Sequence, residues 1–340
     1  MSCEVYQQAI ALIEKSKDIV VTTHTRPDGD ACGCVVALTE VLRNRGKTVR
    51  PLLLSPVPDW YAFLFAEKVP VLGEDVQVDD LTSGRFGAID LVIVADTNSY
   101  NQLPRFEDYL KQSTRPVLAI DHHVAADRLG EVQIADQSAA AAGLVLLDFL
   151  KYAGWPVPMR AAEALFVAIA TDTGWFHLRN TDNRVFRQCA DLIDMGVNPN
   201  DLYHKLYESF SYPRFKLMVA MLNTVALHFD GRYASQYLRR EDFERTGAAH
   251  RDTENLINES QRIGSVAVSA LFIELKDGRI RCSLRSRPDP QRPEKDAVDV
   301  NEIAKKFGGG GHKMASGTYL PAPLEHAVQL IYDEVAKRLA

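Results

Sequence analysis

Long apolar runs, paired cysteines and an excess of positive charge are all missing from this chain, and each shortage removes a class of protein. No apolar run approaches the roughly 20 residues that a bilayer span requires. No basic, apolar, small-residue leader opens the chain either, so neither membrane insertion nor export is expected. The five cysteines, Cys3, Cys32, Cys34, Cys189 and Cys282, are an odd number with no CxxC spacing, which argues against a disulfide framework and for a reduced, cytoplasmic setting. Cys32 and Cys34 flank Gly33 in an expected helix, where residues two apart do not share a face. They therefore read as small core residues and not as thiolate ligands. The formal charge is −6, from 39 Lys and Arg against 45 Asp and Glu. Such a chain does not coat long nucleic acid, and no binding to long duplex DNA is expected, although a local basic pocket is still allowed. Internal repeats and low-complexity tails are lacking too.

What remains is an ordinary soluble composition, 46% hydrophobic and 25% charged, in 340 residues, a length that suits two domains. Apolar β-branched runs alternate with helix-period segments through the first half: Ile19 to Thr23, Ala31 to Arg45, Thr48 to Leu54, Ile89 to Asp96, Val117 to Asp121 and Ala139 to Lys151. That alternation predicts βαβ units, an α/β domain with a mainly parallel sheet flanked by helices. Ala161 to Thr171 is apolar nearly all round and predicts a buried helix. Beyond Gly196 the texture changes to helical segments at Leu202 to Ser209 and Phe215 to Leu227, broken at Ser211-Tyr212-Pro213. Shorter strands follow at Ala234 to Leu238, Val266 to Glu274 and Arg279 to Leu284, then a helix at Val300 to Phe307, one more strand and a C-terminal helix. The expected organisation is a first domain over 1–195, a helical linker over 196–228 and a smaller α+β domain over 229–340, with the substrate cleft between the two domains.

Carboxylates and imidazoles sit at the ends of four apolar segments. The first strand leads to His24-Thr25-Arg26-Pro27-Asp28-Gly29-Asp30, Leu91 to Val94 leads to Asp96, Val117 to Ile120 leads to Asp121-His122-His123, and the buried helix ends at Asp172. Each alone fits an ordinary turn or helix cap. Together they are a different matter, because an open parallel sheet gathers the carboxyl ends of its strands at one crevice. So many like charges at one point would be costly without cations. Oxygen and imidazole donors with no thiolate suit Mn²⁺, and two ions can clamp the attacking and leaving oxygens of a phosphoryl displacement.

A second constellation is the run Gly308 to Gly311 followed by His312. Four glycines can turn successive backbone N–H groups toward an anion, and the histidine adds a donor. From Arg262 to Lys295 there are eight Lys or Arg against four acids, a net of +4 in an acidic protein. Arg285, on the strand expected beside the glycine run, is the candidate for bidentate phosphate binding.

These motifs resemble the DHH phosphoesterase family over nearly the whole chain. HTRPDGDA from His24, Asp96, Asp121-His122-His123 and TDTG from Thr171 look like its metal motifs in their usual order. FGGGGHKMASG from Phe307, with Ser283-Leu284-Arg285-Ser286 upstream, looks like the glycine-rich motif of the DHH-associated C-terminal domain. The resemblance implies that His24, Asp28 and Asp96 hold one Mn²⁺ and that Asp30, Asp96, His122 and Asp172 hold a second, with Asp96 bridging and Mg²⁺ or Co²⁺ as substitutes. It also implies that His123 faces the scissile phosphate and that Asp121 orients a ligand. Arg262, Ser283, Arg285, Gly309, Gly310, Gly311 and His312 would bind the rest of the substrate. The two-domain length is most similar to the bacterial branch that trims short oligoribonucleotides to nucleoside monophosphates and removes the 3′-phosphate of 3′-phosphoadenosine 5′-phosphate. The expected partners are therefore short RNA oligonucleotides and small nucleotides. Rival readings are a cyclic- or linear-dinucleotide phosphodiesterase or a single-strand exonuclease of the same superfamily, and a nucleotide-binding regulator without chemistry. A homodimer stays open. One departure from the family pattern is Gly143, where relatives often carry Glu.

Overall fold

The computed structural model describes residues 3–123, 127 and 129–339. They form two units, one ending at Ser209 and the other beginning at Phe210. In chain order the first unit contains α1 (Cys3–Lys15), β1 (Asp18–Thr23), α2 (Gly29–Asn44), β2 (Thr48–Pro51), α3 (Val78–Thr82), β3 (Leu91–Ala95) and α4 (Phe106–Gln112). It continues with β4 (Val117–Asp121), β5 (Val132–Ala135), α5 (Ala142–Ala153), α6 (Met159–Asp172), α7 (Asn183–Asp194) and α8 (Pro199–Tyr207). All five strands are parallel, in the order β2-β1-β3-β4-β5, as the alternating pattern predicts. Period-two alternation sends Ile19, Val21, Leu91 and Ile93 into a core with α1, α2, α5 and α6. The intervening Val20, Val92 and Val94 enter a second core with α3 and α4 on the other face.

The packing of α2 against α6 does most to build the site. A Cβ at Gly33 would lie 2.4 Å from the Ala164 carbonyl oxygen, and one at Gly29 would lie 2.2 Å from the Thr171 hydroxyl. Glycines four apart share a helix face, so the two antiparallel helices approach to backbone contact. The N-terminus of α2, which carries Asp28 and Asp30, is thereby laid beside the C-terminus of α6, which carries Asp172.

The second unit contains α9 (Tyr212–Leu222), β6 (Ala226–His228), β7 (Tyr233–Leu238), α10 (Arg240–Thr246), β8 (Val268–Glu274) and β9 (Ile280–Ser286). It ends with α11 (Val300–Lys305), β10 (Gly310–His312), β11 (Ala315–Leu320) and α12 (Leu324–Leu339). Its six-stranded sheet runs β10-β11-β9-β8-β7-β6 and is mixed, since only β7 and β8 are parallel. Helices α11 and α12 cover one face with Val300, Ile303, Ile331 and Val335. Leu217 and Met221 of α9, with Leu256 and Ile257, cover part of the other.

Two expectations are revised, and one strand is added. The segment 196–228 is not one linker: α8 belongs to the first unit and α9 to the second. The helix expected to reach Leu227 stops at Leu222, because the Thr224 hydroxyl donates to the Tyr237 carbonyl (3.0 Å) and accepts from the Tyr237 N–H (2.9 Å), starting the β6–β7 ladder. Within the glycine run, Gly310 to His312 form a short edge strand that pairs antiparallel with Ala315 to Gly317. Gly311 adopts φ 147°, and a Cβ there would lie 2.5 Å from the Ala315 oxygen, so only glycine lets this edge strand close on β11. Among the described residues no helix is long and apolar enough to cross a membrane.

Candidate metal centre

The carboxyl ends of β1, β3 and β4 converge with the facing ends of α2 and α6. His24 follows β1. Its Nδ1–H donates to the Thr25 carbonyl (2.9 Å), which leaves the Nε2 lone pair 3.4 Å from Asp96 Oδ2 and 3.9 Å from Asp28 Oδ1. Asp28 caps α2, accepting the Ala31 N–H at 3.0 Å. Asp96 follows β3 in the left-handed region at φ 59°, pinned by its N–H to the Ile120 oxygen (2.8 Å). His122, after β4, repeats the arrangement of His24. Its Nδ1–H donates to the Ala139 carbonyl (3.1 Å), so Nε2 faces Asp172 Oδ2 at 3.5 Å, Asp96 Oδ1 at 3.6 Å and Asp30 Oδ2 at 3.8 Å.

These groups form overlapping donor sets: His24, Asp28 and Asp96; Asp30, His122 and Asp172; and Asp96, His122 and His123, with the donor atoms of each set within 4.8 Å of one another. Among the described residues no Lys or Arg pairs with any of the four carboxylates of the first two sets, and buried Asp96 Oδ1 accepts no hydrogen bond. A buried carboxylate oxygen left bare among three other acids is unfavourable unless cations compensate it. The residues present therefore fit divalent ions.

Burial, then the charges of Asp96 and Asp172, pushes the Asp30 carboxyl well above the usual carboxylate range. Burial, then Asp28 and Asp172, does the same to Asp96, and burial with Asp28 raises Asp172 to about 6. For a carboxyl whose folded value is raised, the stabilising contribution is complete below the unfolded value near pH 4 and is lost as pH rises through the folded value. Without metal the protein should lose stability over this window, which extends through about pH 6 for Asp172. Saturating Mn²⁺ should therefore raise Tm more at about pH 7 than at about pH 5. Thermal melts in EDTA and in Mn²⁺ at both values check this, and equal increments would mean that the carboxylates are already ionised at the lower pH.

The pair Asp121 and His123 is set differently. Asp121 ends β4, and its Oδ1 accepts the backbone N–H of His122 (2.8 Å), that of His123 (3.2 Å) and the His123 Nδ1–H (2.8 Å). Burial works against the Asp121 carboxylate, but the bond from His123 and these N–H groups outweigh it and hold the carboxyl below its ordinary range. The same hydrogen bond raises the His123 imidazole. Burial and the neighbouring His123 charge instead lower His122, which keeps it neutral with its lone pair free. Asp121 thus belongs to none of the donor sets and orients His123, whose ring is more than half exposed.

Several supporting groups were not evident in the sequence. Both oxygens of Asp30 accept N–H groups from the first turn of α5, Oδ2 from Ala142 (2.5 Å) and Oδ1 from Gly143 (2.8 Å). A Cβ at Gly143 would lie 2.6 Å from that of Ala168, so no larger residue fits here, and the glycine serves the approach of α5 to Asp30. After Asp172 the chain takes three consecutive left-handed residues, Gly174, Trp175 and Phe176, at φ 57°, 57° and 70°. For Trp and Phe this conformation costs about 1–2 kcal/mol each. It persists because Trp175 packs on Phe166, Tyr203 and Tyr207 while Phe176 packs on Phe166 and Phe186. That aromatic clasp fixes the end of α6, and with it the Asp172 carboxylate.

In the second unit, directly opposed residues of antiparallel strands share a sheet face. The pairings His312 with Ala315, Ala315 with Arg285, Gly310 with Gly317 and Gly317 with Ser283 therefore align His312 with Arg285, and Gly310 with Ser283, on the face opposite α11 and α12. Gly309 and Gly311 lie against the β11 backbone, at Gly317 and Ser316. Arg262 ends the 3₁₀ turn Leu256–Arg262 and pairs with Glu259 at 2.9 Å in an exposed position.

Residues 18–171 match the DHH family, N-terminal domain, and residues 230–340 match the DHHA1 domain. The chain is similar to a Bacillus subtilis protein named bifunctional oligoribonuclease and PAP phosphatase NrnA, at 28% identity over 318 residues covering 91% of each chain. The Thermus thermophilus protein of the same name is 28% identical over 330 residues, covering 94% of this chain and 90% of the relative. The crystal structure of an exopolyphosphatase-related protein from Bacteroides fragilis shares the fold, with TM-score 0.89 and 22% identity over 99% of this chain and 97% of that one.

Proposed function

The chain belongs to the DHH family, with a DHHA1 domain following the DHH domain, and on that basis we propose that it is a divalent-metal-dependent phosphoesterase. It hydrolyses short oligoribonucleotides to nucleoside monophosphates and removes the 3′-phosphate from 3′-phosphoadenosine 5′-phosphate, the two activities in the names of its relatives. The observation that carries the reading is the shared carboxylate. Asp96 lies within reach of both His24 and His122, so the two donor sets adjoin at one residue. His24, Asp28 and Asp96 would hold one ion, and Asp30, His122 and Asp172 with Asp96 the other. Oxygen and imidazole donors suit Mn²⁺, with Mg²⁺ or Co²⁺ as substitutes; buried Cys32 and Cys34 belong to neither set. Divalent ions bound there supply charge to the phosphoryl oxygens and lower the pKa of an attacking water.

The chain's own residues do the rest. The Thr25 and Ala139 carbonyls fix the tautomers of His24 and His122 so that each presents Nε2. Asp121 accepts the His123 Nδ1–H and favours the imidazolium form of that ring, in which Nε2 also carries a proton to donate to a phosphoryl oxygen. Ser283, Arg285 and His312 would take a terminal phosphate of the nucleotide. The free, mostly buried cysteines accord with the reduced cytoplasm as the working compartment.

A substrate panel in Mn²⁺ tests the reading: a diribonucleotide, a long single strand, 3′-phosphoadenosine 5′-phosphate, cyclic di-AMP and pyrophosphate. With a net charge of −6 and no extended basic groove expected, initial rates at equal concentrations of ends should be highest for the shortest oligoribonucleotides. Preference for the long strand would make the protein a processive exonuclease, and preference for cyclic di-AMP a cyclic-dinucleotide phosphodiesterase. Binding without turnover of any of these would make it a regulator.

A further inference from the structure

On the sheet face opposite α11 and α12, strands β9 and β11 carry a polar strip beside the part that α9 covers. Arg281, Ser283 and Arg285 alternate with Cys282 and Leu284, which lie in the core with α11 and α12, so the three polar residues share the opposite face. The register then sets out three rows across β9 and β11. Arg285 stands beside Ala315, Ser283 beside Gly317, and Arg281 beside Tyr319. The first row is continued by His312 on β10, and it carries Arg285 and His312, the two basic residues proposed above for a phosphate. Along the middle row, Gly310, Gly317 and Ser283 carry nothing bulkier than a hydroxymethyl group. The third row lies four residues along β11 from the first, about 14 Å at the usual rise.

Tyr319, in the third row, is 54% exposed, and the Arg279 guanidinium sits 4.7 Å from its ring centroid. Arg279 is in turn held by Asp277 at 2.7 Å. Because β9 and β11 are antiparallel, Arg279 lies beyond Arg281 on the side of Tyr319 away from Gly317. One face of the ring is thus braced, and the ring stands two residues along β11 from Gly317 and four from the row of Arg285. Arg281 pairs with no carboxylate among the described residues. An exposed aromatic ring, backed by one guanidinium and flanked by another, is a surface on which a π-system stacks.

We infer that Tyr319, braced by Arg279 and flanked by Arg281, is the stacking platform for the base of the nucleotide whose phosphate lies at Arg285, Ser283 and His312, with the sugar over Gly317. This rests on the function proposed above and adds to it a base subsite that is tolerant of sequence, since every base offers a π-face. Arg281 supplies donors to the acceptor edge of the base.

Calorimetric titration of the Mn²⁺-loaded full chain with AMP and with ribose 5-phosphate isolates the base. The wild type should bind AMP roughly 5- to 150-fold more tightly, the range that base–aromatic stacking supplies. Tyr319→Leu, which keeps an apolar side chain on an exposed strand position, should bring AMP down to the ribose 5-phosphate affinity and leave the latter unchanged. Tyr319→Phe should retain the preference, whereas Arg285→Ala should weaken both ligands alike. A preference for AMP that survives Tyr319→Leu overturns the platform, as does a wild type with no preference. If AMP stacks as described but no dinucleotide is cleaved, the subsite stands and the proposed reaction is what fails.

Discussion

Asp96→Asn should empty both metal positions and lower turnover of a diribonucleotide by about a thousandfold or more, the scale expected when the electrostatic core of a phosphoryl-transfer site is removed. Asp96 stands between the donor sets, with Oδ2 3.4 Å from His24 Nε2 and Oδ1 3.6 Å from His122 Nε2. Asparagine is close in shape and occupies the left-handed region as readily as aspartate, so the φ of 59° is preserved. The substitution removes a buried charge whose neighbours Asp28 and Asp172 repel it. In EDTA at neutral pH the variant should therefore melt no lower than the wild type, which separates lost chemistry from lost fold. Elemental analysis of the purified variant is the decisive measurement. Two retained ions with near-normal turnover would end the shared-ligand account, whereas one retained ion would assign Asp96 to a single position. Ligands confined to one set, such as Asp28 or Asp172, should be partly rescued by excess Mn²⁺, because the other set is left complete.

How far the site was legible in the sequence follows the range of the interactions involved. The four donor-bearing segments stood out because each ends an apolar element, and the parallel topology that gathers their ends is a regularity of such sheets. The glycines of α2 were visible too, but not that Gly33 meets the Ala164 backbone, since helix periodicity says which residues share a face and nothing about which helix they meet. Gly143 looked like a departure from the family pattern, and only the crossing of α5 over Ala168 gives it a role, in delivering two N–H groups to Asp30. The strand at Gly310–His312 could not be read from glycine's weak strand preference, because its ladder depends on β11 closing back through a tight turn. The left-handed turn at Trp175 and Phe176 runs against local propensity and is held by aromatic contacts from α6, α7 and α8. Local pattern therefore located the donors, whereas the groups that aim them depend on contacts between distant segments.

The same separation of roles leads to the second large effect. Arg285→Ala and His312→Ala should leave metal content intact and spare hydrolysis of a small aryl phosphodiester without a nucleoside, because both residues lie in the second unit and belong to none of the donor sets. Diribonucleotide turnover should fall heavily, since a charge-assisted hydrogen bond is worth about 1.5 to 3 kcal/mol, or roughly ten- to a hundredfold for each residue. Arg285 is the stronger case. It is partly buried, its guanidinium is drawn below its ordinary value by burial, with Glu254 working against the shift, and its one hydrogen bond among the described residues goes to the Leu284 carbonyl at 3.1 Å. A desolvated cation with so little internal compensation favours an incoming phosphate more than an exposed one does. Arg262, exposed and already paired with Glu259, should matter less, so the order of effects on diribonucleotide kcat/KM is Arg285, then His312, then Arg262. Equal losses on the aryl ester would mean that Arg285 and His312 support the metal centre or the fold. Unchanged rates on both substrates would make the glycine strand a structural edge, and the nucleotide would then have to be recognised by the first unit alone.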